Sequence, residues 1–238
     1  MTARVSTRLA ATLGLSTLIA ACGSATLTAA SPAPATAQIA TPTAAPTAIV
    51  AATRSAAGPA WTVTDKSRAT VRVREQLVGV SFPSDAVLVA TGAAGTFVLN
   101  DDGTFSPDSK ISFELGTLRS EESARDNFVR QDTLAVRRFP KAELVPTKVS
   151  GLTLPLPSSG QFTFTLNGKM TIHGTEHEVT FDVQAKRDGA DLTATATANP
   201  SLRFEDFGMS PPAVPFRVVS VVDEIRLVVE IVGTGPKT

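Results

Sequence analysis

"DLTATATANP" (Asp191–Pro200) alternates threonine with alanine over three consecutive pairs. A period of two residues predicts a β-strand, with Leu192, Ala194, Ala196 and Ala198 on one face. A strand face that fills a protein core normally carries Val, Ile, Leu or Phe. Three alanines in a row on that face leave two explanations open: the face borders a cavity, or it allows a helix or another strand to approach closely.

The same alternation recurs through most of the sequence after Trp61. Tight turns that contain glycine separate the apolar runs, for example at residues 101–103. About eight long strands joined in this way predict an antiparallel sandwich or a closed barrel. Pro146 falls inside one run and predicts an edge or a bulge, because proline cannot donate a ladder hydrogen bond.

One segment, residues 118–140, lacks the strand period. Ser120 is followed by acidic residues, which suits an N-cap and a first helical turn. We predict one helix over roughly residues 121–130, inserted among the strands where it can cap one end of a barrel. Arg125 and Asp126 form an adjacent charged pair on this helix, and we expect them to anchor it to the barrel by hydrogen bonds.

Charge and cysteine content exclude several classes of protein. The first sixty residues hold three basic and no acidic residues, so the other 178 hold 19 basic and 22 acidic residues. This slightly acidic part has no basic excess of the kind that binds nucleic acid. It is long enough for one domain with a sizeable core. Because Cys22 is the sole cysteine, the domain has no disulfide and no thiolate metal site.

No catalytic or metal-binding pattern is complete. His173 and His177 are four residues apart, but they lack the adjacent glutamate and helical setting of an HExxH zinc site. Gly174 and the flanking alternation place both histidines at a hairpin turn. There is no G-x-S-x-G nucleophile motif, and the Arg125–Asp126 pair has no catalytic partner in the sequence. We therefore predict a protein that is not an enzyme and holds no metal or cofactor.

The N-terminus predicts export and lipidation. Arg4 and Arg8 precede an apolar stretch, residues 9–21, which is too short for a permanent membrane span. The stretch ends in "LIAAC", which resembles a bacterial lipobox with Cys22 as the lipidated residue. We predict that residues 1–21 are a lipoprotein signal peptide. Cys22 would then anchor the protein to the extracytoplasmic face of the cell membrane, since two acyl chains give stable anchoring. The alternative is an ordinary secretion signal with an incidental cysteine.

The segment after Cys22 has the composition of a linker. Ala, Thr, Pro and Ser make up 30 of the 38 residues from position 23 to position 60. Such a segment cannot build a core, so we predict that residues 22–60 form a disordered tether. The folded domain is then expected to cover residues 61–238.

Several motifs in this domain resemble one known family in sequence order. "WTVTD" begins at Trp61, "GTF" begins at Gly95, and "LRSEESARDNF" is followed by "FPKAEL". "GKMTIHGTEHEVTFDV" and "RFEDFGM" come later in the chain. Together they resemble the YceI-like family of polyisoprenoid-binding proteins, which are extended lipocalin-like barrels. Arg68 and Ala69 stand where relatives often carry His and Ser, so any contact made by that pair is not expected here.

The resemblance implies an all-β fold: an eight-stranded antiparallel up-and-down barrel with one short inserted helix. It implies non-catalytic binding or transport of a polyisoprenoid or similar long-chain lipid in the cell envelope, and it favours the cavity explanation for the alanine face. The alternative is a surface interaction or structural module whose barrel is filled by its own side chains. From the alternation, the expected lining residues are Phe97, Phe113, Leu115, Phe128, Phe162, Phe164, Phe181, Ala194, Ala196, Phe204 and Phe207.

Overall fold

A computed structural model describes residues 57–236 of the chain. This part contains eleven strands, one α-helix (α1, Ser123–Phe128) and short 3₁₀ and π turns. The strands are β1 Ala57–Val63, β2 Arg68–Leu77, β3 Ser84–Ala90, β4 Ala94–Asn100, β5 Lys110–Glu114, β6 Lys141–Ser150, β7 Ser159–Ile172, β8 Thr175–Asp188, β9 Asp191–Ala198, β10 Val218–Val221 and β11 Arg226–Thr234.

Eight of these strands form a closed antiparallel barrel. The hydrogen-bonded order is β1-β4-β5-β6-β7-β8-β9-β11, and β11 pairs with β1 to complete the ring. Most neighbours in the ring are also neighbours along the chain, as expected for an up-and-down barrel. The predicted fold, an eight-stranded antiparallel barrel with one short helix, is confirmed, with β2, β3 and β10 as additional strands.

The additional strands lengthen one side of the barrel. β1 and β2 lie one after the other along the same edge of β11, separated by a break at residues 64–67. Ser67 is buried in this break, where its hydroxyl accepts a hydrogen bond from the Val232 amide at 2.9 Å. The sequence from residue 85 to residue 100 predicts one long strand with glycine bends, but it forms two strands, because β3 and β4 are likewise separated at residues 91–93. Gly92 supplies a positive φ of 69° at that bend.

The first strand begins earlier than the sequence predicted. β1 starts at Ala57, four residues before the expected boundary at Trp61. Ala57 and Ala60 pair with Asn100 and Val98 of β4 through the backbone, and such pairing needs no alternation of apolar side chains. The predicted signal peptide, Cys22 and nearly all of the predicted tether lie outside the described residues.

The inserted helix is held by two polar contacts. The Arg125 guanidinium forms an ion pair with the buried Glu75 carboxylate of β2, with Nη2 and Oε1 2.6 Å apart. The Asp126 carboxylate accepts hydrogen bonds from the amide and hydroxyl of Ser120, at 2.8 and 2.7 Å. These bonds hold Ser120 in the preceding loop, and Glu122 rather than Ser120 caps the helix. The helix also ends at Phe128, earlier than expected, because the chain continues into a π turn.

One end of the barrel is closed by a buried arginine. Arg187 of β8 donates hydrogen bonds to the carbonyl oxygens of Leu156, Pro157 and Gly189 at 3.0 to 3.1 Å. Its guanidinium also lies 5.1 Å from the centre of the Trp61 ring. A buried cation is tolerated when its donors are paired, and here the pairing fixes residues 151–158 across this end. We call it the closed end of the barrel.

Pro146 lies at a bulge, as the sequence predicted: the pairing of β6 with β7 shifts register between Pro146 and Lys148. The bulge reverses which residues of β6 face inward, so that Leu144 and Val149 are both buried. None of the helices within the described residues has the length and apolar content needed to cross a membrane.

We predict that Gly95→Ala lowers the free energy of unfolding by about 3 kcal/mol. Gly95 has a φ of 140°, and a methyl group there would overlap the carbonyl oxygen of Lys110 and lie 2.9 Å from the Ile111 Cα. Both atoms belong to β5, the strand with which β4 pairs. Chemical denaturation with a fluorescence or circular dichroism readout measures the effect.

Gly116→Ala is the matched control, because a methyl group at that position meets no atom within 4 Å. Its stability should equal or slightly exceed that of the parent protein. Equal stability of the two variants would contradict the close approach of β4 and β5 at Gly95.

Candidate functional site

The barrel encloses a cavity of about 820 Å³. This volume is within the range that ligand pockets usually have, about 300 to 1,000 Å³. Its wall is formed by inward-facing side chains of every strand in the ring, together with α1 and the segment after β9. Almost all of these side chains are aliphatic or aromatic, so the cavity is suited to an apolar ligand.

The wall of this cavity includes all eleven residues that were predicted to line it. The aromatic members come from β4, β5, β7 and β8, from α1 and from the segment after β9. The eleven residues are Phe97, Phe113, Leu115, Phe128, Phe162, Phe164, Phe181, Ala194, Ala196, Phe204 and Phe207. Their position is therefore as predicted, while a role in ligand binding stays a prediction.

The alanine face of β9 borders the cavity. Ala194 and Ala196 both lie on its wall, and the residues paired with Ala196 on the two neighbouring strands are Val183 and Val229. These neighbours also line the cavity, so no helix or third strand of residues 57–236 covers the alanines. Of the two explanations that the sequence left open, the structure supports the cavity. Ala198 is buried opposite Phe181, next to the lined space.

A short 3₁₀ turn after β9 supplies two of the aromatic residues. The turn, Glu205–Phe207, follows Phe204, whose amide donates a hydrogen bond to the Asp223 carboxylate at 2.8 Å. Gly208 ends the turn with a φ of 65°, a conformation that glycine adopts without steric cost. As a result, Phe204 and Phe207 are both directed into the cavity while the chain between them remains at the surface.

The cavity reaches the surface at the end opposite Arg187, which we call the mouth. The lining residues that are solvent-exposed all belong to three segments at this end: the tip of the β2–β3 hairpin, the start of α1 and the chain before β10. They are Val78, Val80, Glu122, Ala124, Phe216 and Arg217. A ligand would therefore enter and leave between the hairpin, the helix and this chain segment.

Charged side chains of the cavity wall are concentrated at the mouth. The buried Glu75–Arg125 ion pair lies there, next to Glu122 and Arg217. The fifth charged lining residue is Glu143 of β6. It forms an ion pair with Lys110 of the neighbouring strand β5, with Nζ and Oε2 3.0 Å apart. The cavity is thus apolar inside and has most of its charged groups at the opening, an arrangement that suits a ligand with a long apolar tail and a polar head.

Sequence reasoning missed Glu75 as a residue of the site. The sequence does contain an indication of this role. Glu75 shares the inward-facing positions of Val71 and Val73 and is the charged residue on that otherwise apolar face. Arg125 was expected only to anchor the helix, and it does so through that same carboxylate. Val78, Val80 and Phe216 were missed because their segments carry no periodic pattern.

A second group of charges lies beside the mouth. Arg226 and Arg74 both approach the Asp85 carboxylate, with nitrogen–oxygen distances of 2.7 and 3.2 Å. These guanidinium groups, Arg226 first, hold the pKa of Asp85 below its usual value. The carboxylate is therefore kept ionised and paired, and it ties the β2–β3 hairpin to β11.

The two histidines do not form a site together. His173 lies in the two-residue turn between β7 and β8, with a φ of 53°. His177 was expected in the same turn but belongs to β8, because that strand begins directly after the turn; its Nε2 is 3.8 Å from Asp206 Oδ1. Within residues 57–236, no three His, Cys, Asp or Glu side chains converge in a way that could hold a metal ion.

Comparison with known proteins finds relatives of similar sequence. The chain is 34% identical over 131 residues to a UPF0312 protein of Pseudomonas putida strain W619, covering 50% of this chain and 64% of that protein. It is 32% identical over 124 residues to a UPF0312 protein of Pseudomonas fluorescens strain SBW25, covering 47% of this chain and 61% of that protein. The chain thus spans less than two thirds of the length of these curated relatives.

Solved structures with low sequence identity share the fold. One is a polyisoprenoid-binding domain from Saccharophagus degradans implicated in plant cell wall breakdown, with a TM-score of 0.54, 8% identity and coverage of 74% of this chain and 98% of that domain. Another is the Campylobacter jejuni YCEI protein, with a TM-score of 0.50, 15% identity and coverage of 68% and 93%. At these identities the likeness supports the barrel fold alone.

A protein-family model gives the assignment. The model of the YceI-like domain matches residues 61–233, which includes the end of β1, all of β4 to β9, most of β11 and all eleven predicted lining residues. The match begins at Trp61 and ends one residue before the end of β11. The chain therefore belongs to the YceI-like family.

Proposed function

We propose that this protein binds a polyisoprenoid or a similar long-chain lipid, with the apolar tail inside the barrel and the polar head at the mouth. The observation that carries the proposal is the distribution of polarity over the cavity wall. About 820 Å³ of apolar space ends at an opening that holds the Glu75–Arg125 pair, Glu122 and Arg217. Binding requires no covalent chemistry, and the protein acts as a binding protein rather than an enzyme.

Tail burial alone can supply high affinity. Each buried CH₂-sized group contributes about 0.8 kcal/mol, so one five-carbon isoprene unit contributes roughly 3 to 4 kcal/mol before ordering costs. A few units are sufficient for tight binding without any specific polar contact. An isoprenoid suits the wall because its branching methyl groups fill the space left by Ala194 and Ala196.

Two further findings support a lipid ligand. The chain belongs to the YceI-like family, and a protein of the same fold is described as a polyisoprenoid-binding domain. The alternative function, a surface module with a barrel filled by its own side chains, is disfavoured because the cavity is large and Ala194 and Ala196 face it.

We also propose that the protein carries its ligand in the cell envelope as a lipoprotein. The proposal rests on the sequence before the barrel: two basic residues, the apolar stretch at residues 9–21, and the sole cysteine at position 22. Acylation of Cys22 would hold the barrel at the extracytoplasmic face of a membrane that contains long-chain lipids.

Organic extraction of the purified full-length protein, followed by mass spectrometry, tests the lipid-binding proposal. A polyprenol or comparable long-chain lipid should be released in an amount close to one molecule per protein, because the proposal places one lipid in the apolar barrel cavity. Acyl groups attached to Cys22 stay with the protein and do not interfere. An extract free of such lipids, together with no uptake of added polyprenol, would favour the filled barrel.

Ala196→Phe is expected to weaken polyprenol binding by roughly two orders of magnitude, as the ring takes the space of one isoprene unit worth about 3 kcal/mol. Thr195→Phe is the matched control, since Thr195 is exposed on the outer face of β9. Titration with a fluorescent polyprenol measures both variants, and thermal unfolding checks that both fold. Equal affinities would place the tail away from β9.

Cys22→Ser is expected to move the protein from the membrane to the soluble fraction, because the site of acylation is lost. Thr26→Ala, four residues further along the same segment, should leave the protein with the membrane. Fractionation and immunoblotting of cells that express each form make the comparison. Membrane retention of the Cys22→Ser form equal to that of the control would rule out the lipid anchor.

A further inference from the structure

The large exposed apolar side chains of the described residues lie in one place. All six belong either to the tip of the β2–β3 hairpin or to the chain around β10, and the structure joins these two segments: the Val78 amide donates to the Arg217 carbonyl at 3.0 Å, and Val218 pairs with Leu77. We call these six residues the rim; they are Val78, Val80, Phe82, Phe216, Val219 and Val222.

The rim surrounds one side of the cavity mouth. Val78, Val80 and Phe216 belong both to the rim and to the cavity wall. Phe82 and Phe216 project furthest, with 79% and 96% of their surface exposed. The apolar surface is therefore continuous from the outside of the protein into the cavity, and a contiguous exposed apolar patch marks an interaction site.

The rim segments are almost free of charge. Residues 77–84 and 207–222 contain one charged residue, Arg217, and it is a cation. Of the acidic residues that flank these segments, Asp85 is paired with Arg226 and Arg74, and Asp223 is paired with Arg203 at 3.1 Å. The exposed Glu122, on the helix side of the mouth, lies outside the rim segments. The rim segments themselves therefore carry no negative charge that opposes contact with a surface that carries phosphate groups.

Backbone geometry also points to a function for Phe216. Its φ of 63° is in the left-handed region, which is unfavourable for a bulky residue and costs nothing for glycine. The conformation leaves the ring almost fully in water, where it gains no packing energy. A strained residue that gains nothing within its own fold is an indication of a functional constraint.

We propose that the rim inserts into the surface of a lipid bilayer, so that the cavity mouth opens directly to the hydrocarbon region. Apolar side chains that enter the interface are stabilised in proportion to the apolar area they bury. Arg217 would then lie at the level of the lipid phosphates. This inference rests on the proposed lipid ligand, because contact with the bilayer lets an apolar tail pass into the barrel without crossing water.

The chain before the barrel is long enough to permit this orientation. β1 and β2 follow one another along the barrel, so Ala57 lies at the end opposite the rim. The 21 residues from the start of β1 to the end of β2 span about 70 Å along the strands, and less along the axis because barrel strands tilt. Residues 23–56 can reach about 110 Å when extended. An anchor at Cys22 therefore leaves the mouth free to face the same membrane.

Site-specific fluorescence tests the proposal in the full-length Cys22→Ser protein, which has no other cysteine. An environment-sensitive dye is attached to Phe82→Cys or Val219→Cys on the rim. The matched control is Asp101→Cys, in the exposed turn after β4 at the closed end. Vesicles of phosphatidylcholine with one fifth phosphatidylglycerol should shift the emission of both rim labels to shorter wavelength and leave the control label unchanged.

A second measurement uses no label. The double variant Phe82→Ser/Phe216→Ser should bind the same vesicles at least about tenfold more weakly than the Cys22→Ser parent, since two exposed rings are lost. Both residues are exposed, so folding should be retained, and thermal unfolding checks this. Sedimentation with vesicles gives the bound fraction.

The outcomes separate this inference from the proposed function. The docking proposal is overturned if vesicles do not shift the emission of the rim labels, or if the parent and the double variant bind vesicles equally. Binding of the protein to vesicles through its N-terminal segment alone would give these same results and would also overturn it. Uptake of dispersed polyprenol without vesicles is measured on the same samples. Uptake of polyprenol without an emission shift of the rim labels contradicts only the docking proposal. An emission shift of the rim labels without polyprenol uptake supports docking and contradicts the proposed lipid-binding function.

Discussion

Closure of the backbone ladder is the constraint on which the rest of this structure depends. In a closed barrel, strand number and stagger fix the diameter, so the interior has a set width that side chains either fill or leave empty. Closure here depends on a short seam: two residue pairs between β1 and β11, followed by Thr64 and Ser67, which both bond to Val232. Once the ring is closed, the size of the inward side chains decides the volume of the cavity.

That dependence explains why the alanine strand matters. β7 and β8 carry Phe162, Phe164 and Phe181 inward, and rings of this size would fill much of an eight-stranded barrel if every wall were similar. Alanine at positions 194 and 196 withholds side-chain volume on the wall that β9 forms. The fold keeps its stability because the same strand is fully paired on both sides, to β8 and to β11.

Most of the barrel could be predicted from the sequence, because strand alternation determines which residues face inward. Four of the predicted lining residues lie in or beside short helical segments, where strand alternation gives no guide: Leu115, Phe128, Phe204 and Phe207. Alternation placed the seven that lie on strands correctly, and Pro146 marked a true bulge. It failed where the backbone alone decides the structure: at Ala57, which pairs without an apolar pattern, and at the break between β3 and β4. It also failed at the mouth, since the segments that carry Val78 and Phe216 come together only through tertiary pairing. Glu75 was visible as a charged residue on an otherwise apolar strand face, but its partner Arg125 is fifty residues away on α1.

The buried arginine at the closed end has a consequence for ligand choice. Arg187 holds Leu156 and Pro157 at that end, and every solvent-exposed lining side chain of residues 57–236 lies at the mouth, so the described part of the tunnel is blind at the closed end. Apolar chains that are no longer than the tunnel is deep would be sheltered completely. Any further carbon atoms would protrude at the mouth, beside the aromatic residues of the rim. For the proposed lipid ligand, selection by chain length would then be set by the distance from the Trp61 ring to the opening, independently of the chemistry of the head.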